Sequence, residues 1–538
     1  MTSHATVLDH YHVSQPGPQP EGARESLQGQ GMISSTGSRA LEPEAPSHRR
    51  SGTTANQSSG FISASIRYPE VADDMAGQFT VISVAKFLDD HLPPARLVHN
   101  LRARAVSFAG ECVTDEKKWV SVPALCGCVG LLSHILQAEA VNSKSLCPSL
   151  KFFCTKDASS SSLGEKSRPD ITAFGTSDVE TIQQLEASNF IHLYAHAALI
   201  VERKLSTEDP FESLQGEFEK GAVFAKRIRG QLITYAKHHH DAQPRVFSFH
   251  LFLFGEEARI IRWDRTGALV TSRFRWTSGT TLSDFLARFD AASPKQRGVD
   301  TTSRPASPEE ITNARAAFEC AGVHETNAMT GPYYTYEVPT EPLVSKPSNR
   351  EANLPRAPVR LFVAGRPVVW SHSFTGRAST GYICYDVATG NVHFMKDAWR
   401  AATACVDEPS IYRRLNKHCP DLGGDPDDGE EDFFEPADRP MISTKSGGNL
   451  CDIIRTAPGE PFTVPHVTTM LCGGDVYYAD DQTTPQTTRL HGDDNGKRKP
   501  MQEYTHFRMV LKDVGEPLEK FESVRDLLQV ISDVVVGM

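Results

Sequence analysis

No stretch of this 538-residue chain approaches the ~18–20 consecutive apolar residues that a membrane-crossing helix needs, so no membrane partner is expected. The opening Met1-Thr-Ser-His-Ala lacks the basic stretch and apolar core of a secretory leader, which predicts an intracellular protein, cytoplasmic or nuclear. Cys-x-x-Cys pairs are absent. The eleven cysteines are odd in number, scattered, and several lie in apolar runs, which predicts reduced, buried thiols rather than a disulfide framework. Positive charge is in deficit. With 56 Lys and Arg against 67 Asp and Glu, the net charge of −11 argues against a general nucleic-acid coat or a polybasic membrane binder. No internal repeat is evident.

What remains is ordinary globular material. Hydrophobic residues at 39% and charged residues at 23% are enough for real cores, and the length predicts two folded domains plus disordered segments. Residues 1–65 are rich in Ser, Gly, Gln, Pro and Glu without apolar periodicity; such a stretch buries too little surface to offset its ordering entropy, and a disordered tail is expected. A mixed αβ domain is expected over 66–300, opening at Phe79–Leu92, with a helix at Leu125–Ala140 and a Ser-rich loop at Ser159–Ser162. Within it, Ile191–Glu202 predicts a strand and Phe211–Tyr235 a helix. Val246–Phe254 alternates aromatic and β-branched positions as a strand does, Arg259–Gly267 with Ala268–Thr271 predicts a hairpin, and Thr281–Ala292 a closing helix. Residues 301–355, interrupted by Pro and Thr, are expected to bridge the domains, with one helix at Pro308–Ala321. A second domain then spans 356–538, with an acidic insertion (Asp421–Glu435) and a Thr- and Gly-rich one (Asp480–Pro500) expected as solvated loops.

The second domain carries a recognisable order. Strands are expected at Val359–Val363, Val368–Phe374, Tyr382–Val387 and Val392–Lys396, and a glycine-bearing turn, Thr375-Gly-Arg-Ala-Ser-Thr-Gly381, separates the second and third of these. A helix at Pro409–Lys417 with an acidic start at Asp407 and Glu408 follows, then strands at Val464–Leu471 and His506–Leu511 and an amphipathic helix at Ser523–Val536. Strand, glycine turn, strand, lysine-bearing strand, helix, two strands is the order of a kinase small lobe. Glycine lets backbone N–H groups approach phosphates, a strand lysine neutralises phosphate charge, and a helix carboxylate holds that lysine. Lys396 takes the lysine position, Glu408 is the nearest carboxylate, and Gly376 and Gly381 bound the turn, although Gly376-x-x-x-x-Gly381 is not a Gly-x-Gly-x-x-Gly loop.

Longer segments carry a resemblance to a known family. Arg229-Gly-Gln-Leu-Ile-Thr-Tyr235, Ala258–Gly267, Ser293–Asp300, Gly376–Gly381, Met395-Lys-Asp-Ala-Trp-Arg400, Ser410–Leu415, Gly473–Val476 and His506–Leu511 together resemble the fungal-type protein kinase domain proteins, over roughly 170–538. The resemblance implies Ser/Thr-type phosphoryl transfer in the complete family. It implies ATP with Mg2+ as cofactor, Lys396 as the nucleotide-binding lysine, Leu511–Gly515 as the hinge, and an unknown protein as substrate or partner. Ser410 stands where the family pattern expects Glu, leaving the ion pair to Glu408. The family's His-Arg-Asp-type catalytic loop and metal-binding Asp follow the last helix and have no counterpart here, so an inactive, truncated kinase-like lobe is expected, a fragment or a pseudokinase in which ATP binding is weak or lost.

A second candidate site lies upstream, in a core at about 168–275. Pro169-Asp170, a strand ending in Glu202-Arg-Lys204, and a helix bearing Gln231-x-x-x-Tyr235 follow in the order of the PD-(D/E)XK nuclease fold. Two carboxylates (Asp170, Glu202) suit a divalent metal and Lys204 an attacking water, as metal-assisted phosphodiester hydrolysis requires. A nucleic acid is a partner only on this alternative. The plainer reading pairs Glu202 and Lys204 with charges on the helix. His238-His-His240 lacks partners at ligand spacing and is expected in a solvated helix end; Trp263, Phe249, Phe252 and Phe254 are expected in the core, and Ser379 and Thr380 in the turn. The chain is thus expected to be α+β, a nuclease-like domain followed by a protein-kinase-like N-terminal lobe. Three functions stand open: kinase family member, metal-dependent nuclease, and non-catalytic interaction protein.

Overall fold

A computed structural model describes residues 64–92, 147–156, 160–188, 193–276, 279–340, 358–402, 408–417, 468–488 and 502–515, with a few short gaps inside these ranges, and part of 523–531. The expected tail up to residue 63, the Leu125–Ala140 helix, the acidic insertion and most of the final helix lie outside the described residues. The fold is α+β, built on two large sheets.

The elements leading to the first sheet are α1 (Ala64–Asp74), β1 (Phe79–Ile82), α2 (Val84–His91), β2 (Leu150–Cys154), β3 (Ser160–Ser162), β4 (Glu165–Ser167) and β5 (Ile171–Gly175). They are followed by α3 (Val179–Ala187), α4 (Leu193–His196), β6 (Ala197–Lys204), α5 (Val223–Ala242), β7 (Ser248–Phe254), β8 (Glu257–Asp264), β9 (Gly267–Thr271), β10 (Phe274–Arg275) and α6 (Thr281–Ala291). The sheet runs β1-β9-β8-β7-β6-β5-β2, with β10 on β8. Pairs β1–β9 and β6–β7 are parallel; the other pairs are antiparallel. A parallel pair needs a crossover, and α5 supplies it between β6 and β7.

Every residue of β7 is buried, because helices cover both faces of the sheet. Phe249, Leu251 and Leu253 join the cluster under α2 and α6, while Phe252 and Phe254 join Ile261, Trp263 and Val270 under α1 and α5. The expected core positions are therefore core. Two boundaries differ from expectation. The strand expected from Ile191 opens with the short α4, and the helix expected from Phe211 starts only at Val223, Phe211 instead forming a bridge to Glu219.

The expected bridge between domains is itself structured. β11 (Ser303–Pro305), α7 (Pro308–Cys320) and β12 (Tyr334–Pro339) precede β13 (Val359–Ala364), β14 (Val369–Trp370), β15 (Thr380–Asp386), β16 (Val392–Ala401) and α8 (Glu408–Lys417). β17 (Met470–Asp475), β18 (Tyr477–Tyr478), β19 (Asp481–Pro485) and β20 (Tyr504–Leu511) complete the described strands. The second sheet runs β11-β12-β13-β15-β16-β20-β17, antiparallel throughout, so residues 303–339 are part of it rather than a linker. α7 begins with a capping box, in which the Ser307 Oγ accepts from Glu310 N–H while the Glu310 carboxylate accepts from Ser307 N–H. The Thr-rich insertion is not a free loop where it is described. β19 pairs with β18, and Gln486 and Thr488 are fully buried.

The two sheets meet through specific residues. Phe374, beyond β14, is buried in the first sheet's core against Trp263 and His240. The Arg265 guanidinium donates to the Phe374 carbonyl at 3.0 Å, and Thr266 Oγ1 bonds Thr488 Oγ1 at 2.5 Å. Cys147, Cys154, Cys320, Cys384 and Cys472 are free thiols. Among the described residues no helix is long and apolar enough to cross a membrane.

Candidate functional site

Lys396 lies on β16 opposite Gly381 of β15 and Met509 of β20. Alternation along the strand separates it from Asp397. Lys396 shares its face with Ala398, which packs with Tyr412 of α8, whereas Asp397 on the opposite face bonds His506 and Arg508 of β20. Glu408 opens α8 with Pro409 behind it, a carboxylate at the positive end of a helix. Lys396 Nζ donates to both Glu408 oxygens at 2.7 Å, with about a quarter of each side chain exposed. The pairing expected to fall to Glu408 is present. Arg377 adds a second cation, its Nη2 lying 3.5 Å from Glu408 Oε2 while 66% of the side chain is exposed. On the same side Arg400 forks onto Asp475 at 3.0 and 2.6 Å.

The two glycines serve otherwise than expected. Gly376 has φ +82°, the left-handed region that glycine enters without penalty, and its N–H donates to the Arg265 carbonyl at 2.8 Å. That donor joins the sheets and is not open to a phosphate. Gly381 is a strand residue whose carbonyl accepts from Val368 N–H at 2.9 Å.

The upstream site also assembles. β5 and β6 pair Ile171 with Val201, and continuing that register sets Asp170, just before β5, opposite Glu202. Asp170 Oδ2 accepts from Arg203 N–H at 2.9 Å. Glu202 is buried and paired with Lys204, yet its Oε2 has no hydrogen-bond partner. Burial, and then the neighbouring Asp170 charge, push the Glu202 carboxyl up to about 8; burial also raises Asp170. From α5, Gln231 Nε2 donates to the Tyr235 hydroxyl and Tyr235 donates to the Arg168 carbonyl, each at 2.6 Å. Burial foremost, then the Glu202 charge, raises the Tyr235 hydroxyl. All five expected residues thus gather at one end of β5, β6 and α5. Their donor chemistry fits a hard divalent cation, since two carboxylates sit together and one buried oxygen lacks a donor. Among the described residues, however, no group of three or more His, Cys, Asp and Glu side chains is placed to hold a metal ion.

The three histidines are not solvated. α5 continues to Ala242, and His238, His239 and His240 are all buried. His238 bonds Ser167 Oγ at 2.6 Å, and His239 donates from Nε2 to the Ala197 carbonyl at 2.9 Å, leaving Nδ1 to accept from His250 at 3.3 Å.

Sequence reasoning missed Arg377, the Phe374 anchor, and a buried charge network in which Arg508 joins Asp300 to Asp397. One signal was there: His506-x-Arg508 places two polar groups at period two in an otherwise apolar strand, marking a face that must find buried partners. No protein-family model, curated protein or solved structure matches this chain.

Proposed function

We propose that residues 356–538 form the nucleotide-binding lobe of a protein-kinase-like domain of the fungal type, taking ATP with Mg2+. The observation that carries this reading is the Lys396–Glu408 pair, formed where the third of the successive strands β13, β15 and β16 meets the helix that follows them. In phosphoryl transfer a strand lysine held by a helix glutamate neutralises the phosphates, and the pair must be in place before the nucleotide is correctly seated. Glu408 fixes the direction of an otherwise flexible ammonium, so the charge is oriented before the ligand arrives. Mg2+, when bound with the nucleotide, supplies further neutralisation of its phosphates. Replacing Lys396 with alanine should weaken Mg2+-ATP binding by about tenfold or more, since bonds between charged groups are worth ~1.5–3 kcal/mol. Titration calorimetry on the full chain checks this, and an unchanged affinity would overturn the assignment.

A second reading is favoured by the unpartnered Glu202 Oε2. Asp170 and Glu202 would hold a divalent cation, whose chemistry is to activate water and stabilise charge on a phosphodiester. Lys204 would orient the nucleophile, and Tyr235 and Gln231 would brace the strand end. The expected result is Mg2+- or Mn2+-dependent cleavage of DNA that Glu202→Ala abolishes. Cleavage by the alanine variant at the wild-type rate, or none by the wild type, removes this reading.

A further inference from the structure

We infer that Arg377 is a second phosphate-contacting cation of the nucleotide site, presented by a turn that the first sheet holds in place. The inference rests on the nucleotide-binding reading and deepens it.

On one side of Arg377, the Gly376 N–H is tied to the Arg265 carbonyl, and Phe374 is sunk in the first sheet's core with the Arg265 guanidinium over its ring at 5.2 Å. Ser373 Oγ adds a bond to Asp74 at 2.7 Å. On the other side, Ala378 is buried against Val246 and Trp399, in a left-handed conformation (φ +38°) that a non-glycine residue adopts only where its surroundings impose it. The Arg377 carbonyl itself accepts from Trp399 N–H at 2.8 Å. The main chain is therefore gripped at 374, 376, 377 and 378, while the side chain between these holds is two-thirds exposed.

Such an arrangement is more than a surface ion pair needs. A carboxylate about a quarter exposed is already satisfied by Lys396, which reaches both its oxygens, and the 3.5 Å contact from Arg377 adds little. Two cations share one anion, so the group carries a net positive charge beside the strand lysine. A guanidinium offers a planar fork suited to phosphate oxygens, and one whose backbone is already fixed loses less freedom on binding. Any polyphosphate drawn to Lys396 Nζ comes within reach of Arg377, because both touch the same carboxylate. The first sheet thereby sets the shape of the nucleotide site.

The test compares the wild-type chain with Lys396→Ala, Arg377→Ala and Arg377→Lys, titrated with Mg2+-ATP and with adenosine. Arg377→Ala should weaken Mg2+-ATP about tenfold and leave adenosine unchanged, and Arg377→Lys should show a smaller loss because the charge stays and the fork goes. Melting curves confirm that each variant folds, and Arg377→Lys, which keeps the charge and most of the stem, carries the comparison if the alanine variant does not. If Lys396→Ala loses Mg2+-ATP while both Arg377 variants stay within twofold of wild type, Arg377 merely neutralises Glu408 and the inference is overturned with the nucleotide reading intact. If the wild type binds no Mg2+-ATP, or Lys396→Ala binds it normally, the nucleotide reading falls and takes this inference with it.

Discussion

Replacing Arg508 with methionine should lower the unfolding free energy by about 3–5 kcal/mol, the range for breaking a buried pair and leaving its partners uncompensated. The Arg508 guanidinium is fully buried and fully used. It donates to Asp300 Oδ2 at 2.8 Å, Asp397 Oδ2 at 2.9 Å, the Glu337 carbonyl at 3.0 Å and Thr302 Oγ1 at 3.2 Å, and it lies over the Tyr336 ring. Asp300 also accepts from Gln486 Nε2 at 2.6 Å, and both ring nitrogens of His506 face oxygens, Gln486 Oε1 at 2.7 Å and Asp397 Oδ1 at 2.5 Å. Against the cost of burial, His506 and then Arg508 hold the Asp397 carboxyl below the usual carboxylate range, and Arg508 does the same first of all for Asp300. Methionine fills much of the volume but leaves two buried carboxylates without their cation. Arg508→Lys should fall between, because one ammonium cannot span both acids. Equilibrium denaturation by urea checks the size of the effect. Because Asp300 leads out of the first sheet and Asp397 belongs to the second, probes of either sheet should shift together; a loss below about 1 kcal/mol would show that the network contributes little.

The Lys396–Glu408 pair and the Asp170–Glu202–Lys204 group were legible in the sequence for a shared reason. Lys396 and Glu408 lie on consecutive elements, the strand and the helix that follows it, and Asp170 and Glu202 stand at the facing ends of the paired strands β5 and β6, so local pattern alone brings the partners close. Phe249, Trp263 and their neighbours were legible as core because a run of apolar residues has nowhere else to go. What was not legible depends on distant partners. β11 and β12 looked like linker because they are short and broken by Pro and Thr; what makes them strands is the pairing of β12 with Val359–Ala364 and of β11 with β12. Gly376 looked like an open phosphate turn, and nothing near it in sequence announces that Arg265 takes its N–H. His238, His239 and His240 looked like a solvated helix end because imidazole counts as polar in any pattern, whereas each ring is buried with a nitrogen hydrogen-bonded to a partner from elsewhere in the fold. The proximity of Lys396 to Glu408 and of Asp170 to Glu202 was legible, and the contacts that set the turn beside Lys396 were not.

Burial of His239, His240 and His250 leads to the second large effect, which wild-type measurements alone would hide. Burial, and then the Arg245 charge, lower His250 to about 3, and burial foremost holds His239 and His240 well below their ordinary value. A base whose folded pKa is depressed leaves the unfolded chain binding more protons in acid, so stability is full above about pH 6.5 and declines as pH falls toward 3. At pH 5 His250 alone accounts for about 2 kcal/mol of that decline, and His239 and His240 act with the same sign. Glu202 opposes them. An acid whose folded pKa is raised to about 8 favours the folded state at low pH, and that advantage is lost as pH rises from its ordinary 4.5 through 8. Between pH 7 and pH 5 it returns about 2.5 kcal/mol, so the wild-type profile should be shallower than either group implies. Glu202→Gln removes the opposing titration and should make the acid decline steeper, whereas His250→Gln should flatten it or reverse it. Urea midpoints at pH 5, 6, 7 and 8 give the slopes, and the slopes are the readout because either substitution also shifts stability at every pH. A His250→Gln slope equal to wild type would mean that the imidazole is charged, or reached by water, inside the fold.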